Sequence, residues 1–228
     1  MSNLELHVER RSATLRVQVE ERLRAAIASG RFKPGQRLIE RELCELIGVG
    51  RTSIREALRQ LEADGLVTSI PHRGPVVSSI SRDEAAQLYE ARALLEGFAG
   101  RAVAMRRQPE DIRALEIAAN QFARAARGNK QEELIRAKTE FYAVLLRGCG
   151  NKFIEQMLTT MHNRISLLRA MSMGQPGRLK HSVAEIRAIV EAISLGNAGE
   201  AEMLCRRHVD EAAKVALKVL DRGEPASV

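Results

Sequence analysis

Arg51, Arg55 and Arg59 recur every four residues, which on a helix sets three guanidinium groups along one face. A guanidinium is a planar fork of N–H donors, able to engage guanine O6 and N7, or a phosphate, through two hydrogen bonds at once. Thr52 and Ser53 stand beside Arg51 at the start of the same segment, where hydroxyls and free backbone N–H groups suit a phosphate. Ile54, Ala57, Leu58 and Leu61 make the opposite face apolar. A plainer account stays open on spacing alone: the arginines can be a solvated face paired with Glu56 and Glu62.

The surrounding elements determine what such a helix is for. Leu15, Val19, Leu23 and Ile27 form a stripe that predicts a first helix from Thr14 to Ser29-Gly30. Lys33-Pro34-Gly35 reads as a type II turn, with Pro setting φ and Gly supplying a positive one. A second helix is expected at about 40–47 with Leu43, Leu46 and Ile47 inward, broken by Gly48-Val49-Gly50. The arginine helix follows and stops at Asp64-Gly65. Two β-prone runs, Leu66-Val67-Thr68-Ser69 and Val76-Val77-Ser78-Ser79, then flank a basic tip, Pro71-His72-Arg73-Gly74-Pro75. Three helices and a hairpin is the order of a winged helix-turn-helix, whose last helix enters the major groove.

Beyond this point the pattern is helical. Ser81 and Glu84 offer a capping box, and helices are expected near 82–107, 109–127, 130–148, 151–172, 177–195 and 198–221. Short breaks between long amphipathic helices predict an antiparallel bundle. Aromatic residues are only 3% with no Trp, which favours helix over sheet. The expected fold is therefore mainly α, an N-terminal winged helix-turn-helix followed by an antiparallel six-helix bundle. Residues 1–13 read as a flexible arm, 14–79 as the first domain, 80–222 as the bundle and 223–228 as a tail.

A formal net charge of +7 and a pI near 9.8 suit a polyanionic partner. Cys44, Cys149 and Cys205 are too scattered for a disulfide framework or a thiolate zinc site and fit a reducing compartment. The first residues lack the apolar core of a signal peptide, and no apolar run is long enough to span a membrane, so a cytoplasmic protein is expected. No Ser/His/Asp arrangement, phosphate-cradling glycine loop or carboxylate dyad points to an enzyme.

The run PGQRLIERELCELIGVGRTSIREALRQLEADGLV, ending at Val67, closely resembles the GntR family of bacterial transcription regulators. It departs from the family pattern at Gly50, where Ser is usual, and at Ser53, often Pro. The resemblance implies DNA contacts from an Arg of the second helix, from the Arg/Thr cluster of the third and from the wing tip. Those positions are Arg41, Arg51, Thr52, Ser53, Arg55, His72, Arg73 and Gly74. The implied partner is a double-stranded operator, bound by a homodimer.

The C-terminal part resembles the helical ligand-binding (FCD) domain of the FadR-type branch, through LYEARALLEGFAGRAV, the Phe141-Tyr142 segment, Gly150-Asn151 and AIVEAISLGNAGEAEMLCRRHV. Six expected helices suggest the shorter, VanR-like subgroup. Many members hold a divalent metal with an Asp and three His. The matching positions here are Lys138, Tyr142, Ile186 and His208, so only one ligand survives and no metal or other cofactor is expected. Arg92, Lys138, Tyr142, Arg164 and His208 are instead expected to form an effector pocket for a small acidic metabolite, the protein's own cations replacing the metal. Against this, Lys138 can simply pair with Glu96 while His208 is a satisfied core imidazole. The expected function is thus an effector-modulated regulator, a repressor in the common family pattern. An effector-independent architectural DNA binder and a DNA-tethered helical enzyme are the alternatives.

Overall fold

The computed structural model describes residues 10–128 and 130–222. The chain forms two compact units, one of residues up to 27 and 32–78, the other of residues 28–31 and those from 79 onward. Most of the expected arm, residues 1–9, and the tail 223–228 lie outside the described residues.

In the first unit α1 spans Arg10–Ala28, α2 Glu40–Ile47 and α3 Arg51–Ala63, followed by β1 Val67–Ile70 and β2 Gly74–Val77. The first helix already includes Arg10 to Ala13 of the expected arm, because nothing in Arg10-Arg11-Ser12-Ala13 breaks a helix even though the apolar stripe has not begun. That stripe is also shorter than expected: Val19, Leu23 and Ile27 are buried, while Leu15 is 42% exposed. On α2 only Leu43 is buried, and Leu46 faces solvent, since eight residues offer room for little more than one inward turn.

Gly35 has φ +74 and the Gln36 N–H donates to the Lys33 carbonyl at 2.9 Å, closing the Lys33–Gln36 turn with glycine where a positive φ is required. The hairpin is antiparallel, pairing Val67 with Val77 and Ile70 with Gly74 around Pro71-His72-Arg73. Its far edge is covered by residues 35–38. Arg37 bridges Val76, the Leu38 N–H donates to the Pro75 carbonyl, and the Val77 N–H donates to Gln36.

The second unit contains seven helices among the described residues: α4 Arg82–Arg106, α5 Pro109–Ala125, α6 Gln131–Cys149, α7 Lys152–Arg164, α8 Ser166–Met173, α9 Arg178–Ser194 and α10 Ala198–Asp221. The expected single helix over 151–172 is two, divided at Ile165 (φ −94, ψ 5), which is buried where the chain turns. A continuous apolar period does not reveal such a break, because both halves bury side chains in the same bundle. The six-helix count is thereby corrected to seven among the described residues, and the subgroup reading loses the count on which it rested.

α4 opens with the capping box: the Ser81 hydroxyl accepts from the Glu84 N–H at 3.2 Å, and the Ser81 N–H donates to the Glu84 carboxylate at 2.9 Å. This helix packs along α10 more extensively than any other pair. Their approach depends on Gly97 and Gly100. A β-carbon on Gly100 would stand 2.5 Å from Cys205 Sγ and 3.1 Å from the Ala201 carbonyl oxygen. No helix among the described residues is long and apolar enough to cross a membrane.

Alanine normally stabilises a helix interior relative to glycine, but at Gly100 the overlap is partly with backbone. Gly100→Ala is expected to lower unfolding stability by about 1–3 kcal/mol in urea titration. Gly199→Ala, where the added carbon meets nothing within 4 Å, is expected to be neutral or slightly stabilising. Equal responses at the two sites would exclude close α4–α10 contact as the reason for glycine.

Candidate functional site

On the first unit, α3 buries Ile54, Ala57, Leu58 and Leu61 and presents Arg51, Arg55 and Arg59 to solvent. Glu56 and Glu62 do not neutralise this row. Glu62 accepts from the Ser69 backbone N–H at 3.0 Å, and among the described residues Arg51 and Arg59 form no ion pair. Arg55 reaches α2 instead, its Nε donating to both Glu40 oxygens at 2.9 Å. That hydrogen bond and the Glu40 charge raise the Arg55 pKa, and because they engage Nε, the two terminal amino groups remain donors for another acceptor.

Thr52 is exposed and Ser53 half-buried in the first turn of α3. The N-cap, Gly50, has no side-chain acceptor, so the leading N–H groups lack a side-chain cap. Arg41 is exposed on α2, held only by a 4.0 Å pair with Glu45. His72 and Arg73 are exposed at the wing tip. His72 has a left-handed φ of 61, and Arg73 Nη2 donates to the Gly35 carbonyl at 3.3 Å. Gly74 (φ +82) begins β2.

In the second unit, a cavity forms where α4, α6, α8, α9 and α10 converge. It is lined by Tyr89 and Arg92 of α4, Lys138 and Tyr142 of α6, Arg169, Ser172 and Met173 of α8, Arg178 and Ser182 of α9, and His208 and Ala212 of α10. The free space among these side chains is water-sized. Four of the five residues expected from the sequence are therefore brought together. Arg164 is not: it is exposed at the end of α7, and the break at Ile165 gives the inward position to Arg169 on the next helix.

Two carboxylates organise the buried polar groups. Glu96, 1% exposed, accepts from Arg92 Nε at 2.8 Å and Nη2 at 2.5 Å, and from His162 Nε2 at 2.7 Å. Burial pushes the Glu96 pKa up, but Arg92 and His162 outweigh it and hold the group ionised well below the ordinary carboxylate range. Lys138 does not pair with Glu96, as the plainer reading had it, since Arg92 occupies that carboxylate. Glu185 is gripped by Arg178 through three contacts of 3.0–3.1 Å and accepts from His208 Nδ1. Against a burial penalty, the His208 bond and the Arg178 charge lower Glu185 to about 2.

An ionised carboxylate can only accept, so the neutral His208 carries its proton on Nδ1 and its Nε2 is an acceptor. Lys138 Nζ lies 2.9 Å from that Nε2 and 2.8 Å from Ser182 Oγ, while the Tyr142 hydroxyl lies 3.1 Å from Nε2. Burial, then the Arg169 and Arg178 charges, push the Lys138 pKa well below its ordinary value. Arg169 is 7% exposed, its Nη2 is buried without a hydrogen-bond partner, and among the described residues it forms no ion pair. Its guanidinium carbon instead stands 4.8 Å from the centre of the Tyr142 ring.

The positions that would hold a metal by resemblance do not fit one. They present an ammonium at Lys138, a phenol at Tyr142 and the core side chain of Ile186. Among the described residues no group of three or more His, Cys, Asp or Glu converges as a metal site. Arg169, Arg178, Ser182 and His162 are not singled out by the sequence pattern. Their shared signal is a polar residue in phase with apolar ones: Arg169 with Ile165 and Leu168, His162 with Leu158, and Arg178 and Ser182 with Ile186, Ile189 and Ile193.

A guanidinium row on a helix-turn-helix with a β-hairpin wing, followed by a helical unit around a polar cavity, defines a DNA-binding regulator with a sensing domain. The chain belongs to the GntR family of bacterial regulators and carries an FCD domain. Residues 15–77 match the model for bacterial regulatory proteins of the gntR family, and residues 87–211 match the FCD domain. It is 27% identical to the HTH-type transcriptional regulator YdhC of Bacillus subtilis over 209 residues, covering 91% of this chain and 93% of that protein. A probable D-xylose utilization operon transcriptional repressor of Paenarthrobacter nicotinovorans is also 27% identical, over 86% of both chains. The fold matches that of E. coli McbR/YncC with a TM-score of 0.75 at 20% identity, over 92% of this chain and 98% of that one.

The buried imidazoles set the response to acid. Burial lowers both His162 and His208 from 6.5 to about 4, so between these values the unfolded chain binds protons that the folded one refuses. Stability present above pH 6.5 is lost as pH falls towards 4, and Glu185 adds a further loss from 4.5 down to about 2. The thermal midpoint is expected to hold between pH 7 and 8 and to drop between 6.5 and 4, with a shallower drop in His208→Gln. An equally steep drop in that variant would exclude His208 as a contributor.

Proposed function

We propose that this regulator is a cytoplasmic homodimeric repressor whose grip on an operator is changed by a small acidic metabolite bound in the α4–α10 cavity, without a metal ion and without catalysis. The carrying observation is Arg169, a buried guanidinium with an unpartnered Nη2 at the cavity wall. A cation left so is costly unless an acceptor arrives, and an anionic ligand supplies one. The name of the Paenarthrobacter nicotinovorans relative supports repression as the direction of control. Arg51 and Arg55 are assigned to the major groove, with Arg41, Thr52, Ser53, His72, Arg73 and Gly74 contacting backbone or minor groove. A dimer reading a pseudo-palindromic site follows from the symmetry such readers use.

DNA enriched by the purified protein from a random duplex pool provides the operator probe. Arg55→Ala is expected to abolish specific gel retardation of that probe while leaving helical content unchanged; wild-type affinity would remove Arg55 from the interface. A thermal-shift screen of small organic acids and neutral sugars, with and without chelator, tests the sensor. At least one acid is expected to raise the melting midpoint regardless of chelator and to alter probe affinity about five-fold or more, the usual range of site–site coupling. Stabilisation by neutral sugars alone, or dependence on a divalent metal, would overturn the proposal.

A further inference from the structure

Resting on the assignment of Arg55 to the major groove, we infer that Arg55 reads a guanine base rather than a phosphate, and that Glu40 is the positioning residue behind this choice. Among the described residues, Arg55 is the arginine of the α3 row that a carboxylate holds, its Nε donating to both Glu40 oxygens at 2.9 Å. Glu40 is itself firmly placed. It is the first residue of α2, and the chain leading into it is tied to the wing: Leu38 is buried, and its N–H donates to the Pro75 carbonyl at 2.9 Å. The Glu40 carboxylate is half-buried, so it has less freedom than a fully exposed side chain.

With Nε taken, the side-on fork of Nε and Nη2 is closed, and the end-on pair of Nη1 and Nη2 is what remains to meet DNA. Guanine is the base whose major-groove edge offers two neighbouring acceptors, O6 and N7, to such a pair. Adenine and cytosine present an amino donor there, and thymine a single acceptor. A phosphate also accepts twice, but it brings a second negative charge to a guanidinium that Glu40 already partly neutralises. Two anions on one guanidinium lie well inside the roughly 8 Å screening length of physiological salt, and they repel. The guanine edge is neutral and meets no such repulsion. Arg55 lies in the second turn of α3, on the face opposite Ile54, Ala57 and Leu58, and the leading turns of a recognition helix are those that reach base edges.

The duplex enriched from a random pool is the probe, with a scrambled duplex as its non-specific control. Each guanine in turn is replaced by deazaguanine, whose C–H at the N7 position accepts nothing. Affinity of the full chain is measured by fluorescence anisotropy at low salt, where weakened complexes still form. One guanine per half-site is expected at which the replacement weakens the wild-type complex about tenfold. That penalty is expected to vanish in Arg55→Ala and to shrink to about threefold in Glu40→Gln. Because Glu40→Gln removes a negative charge beside the DNA, its affinity for the scrambled duplex is expected to hold or rise, which loss of structural support would not produce. Circular dichroism and thermal melting verify the folding of both variants. The inference is overturned if Arg55→Ala weakens every duplex alike and lowers the salt slope by about one, the mark of a phosphate contact. It is equally overturned if Glu40→Gln keeps the full guanine penalty or weakens both duplexes equally. Wild-type affinity of Arg55→Ala for the enriched duplex overturns instead the major-groove assignment itself.

Discussion

Charge taken out of water must be answered within hydrogen-bonding distance, and among the described buried residues of this bundle the basic side chains outnumber the carboxylates. Glu96 and Glu185 each gather an arginine and a histidine, tying α4 to α7 through one carboxylate and α9 to α10 through the other. Once these are satisfied, the tautomer of His208 is fixed, and with it the acceptor that orients Lys138. The Tyr142 ring then gives Lys138 and Arg169 a common wall. The polar interior is thus an arrangement in which two pairs close and two basic side chains are left without a carboxylate among the described residues.

The DNA-reading unit obeys a different constraint. Its chemistry is at the surface, where isolated ion pairs contribute little, so geometry has to come from the backbone. Gly48, with φ +77, ends α2 and allows α3 to start three residues later, while the Lys33–Gln36 turn directs residues 35–38 along β2 and supports the wing. Arg73 donates back to that same turn at Gly35. Glu40 adds a side-chain restraint on the arginine row, holding Arg55 from a neighbouring helix.

Local rules made much of this legible. The arginine face, the turn at Pro34-Gly35, the hairpin and the Ser81 capping box each depend on residues a few positions apart, and all four are present. What depends on tertiary context was not legible. Leu15 and Leu46 obey the helical period yet face solvent, because burial requires a neighbouring element that the period cannot specify. The break at Ile165 is silent in the apolar pattern, and it moves the inward cation from Arg164 to Arg169. Arg92, Lys138, Tyr142 and His208 were legible through resemblance, whereas Arg178 and Ser182 become visible only when α9 is set beside α6 and α10.

The glycine contacts between α4 and α10 have a mechanical consequence. Helices that meet backbone to backbone cannot slide or rotate against one another without steric overlap, so this pair is a stiff spine carrying Arg92, Glu96 and His208. α8 is built otherwise: eight residues long, separated from α7 at Ile165 and from α9 by a turn ending at Gly177. α8 is therefore the most compliant segment of the cavity wall. The bundle resembles a rigid frame with one spring-mounted panel, and that panel is the one that carries Arg169 to the cavity.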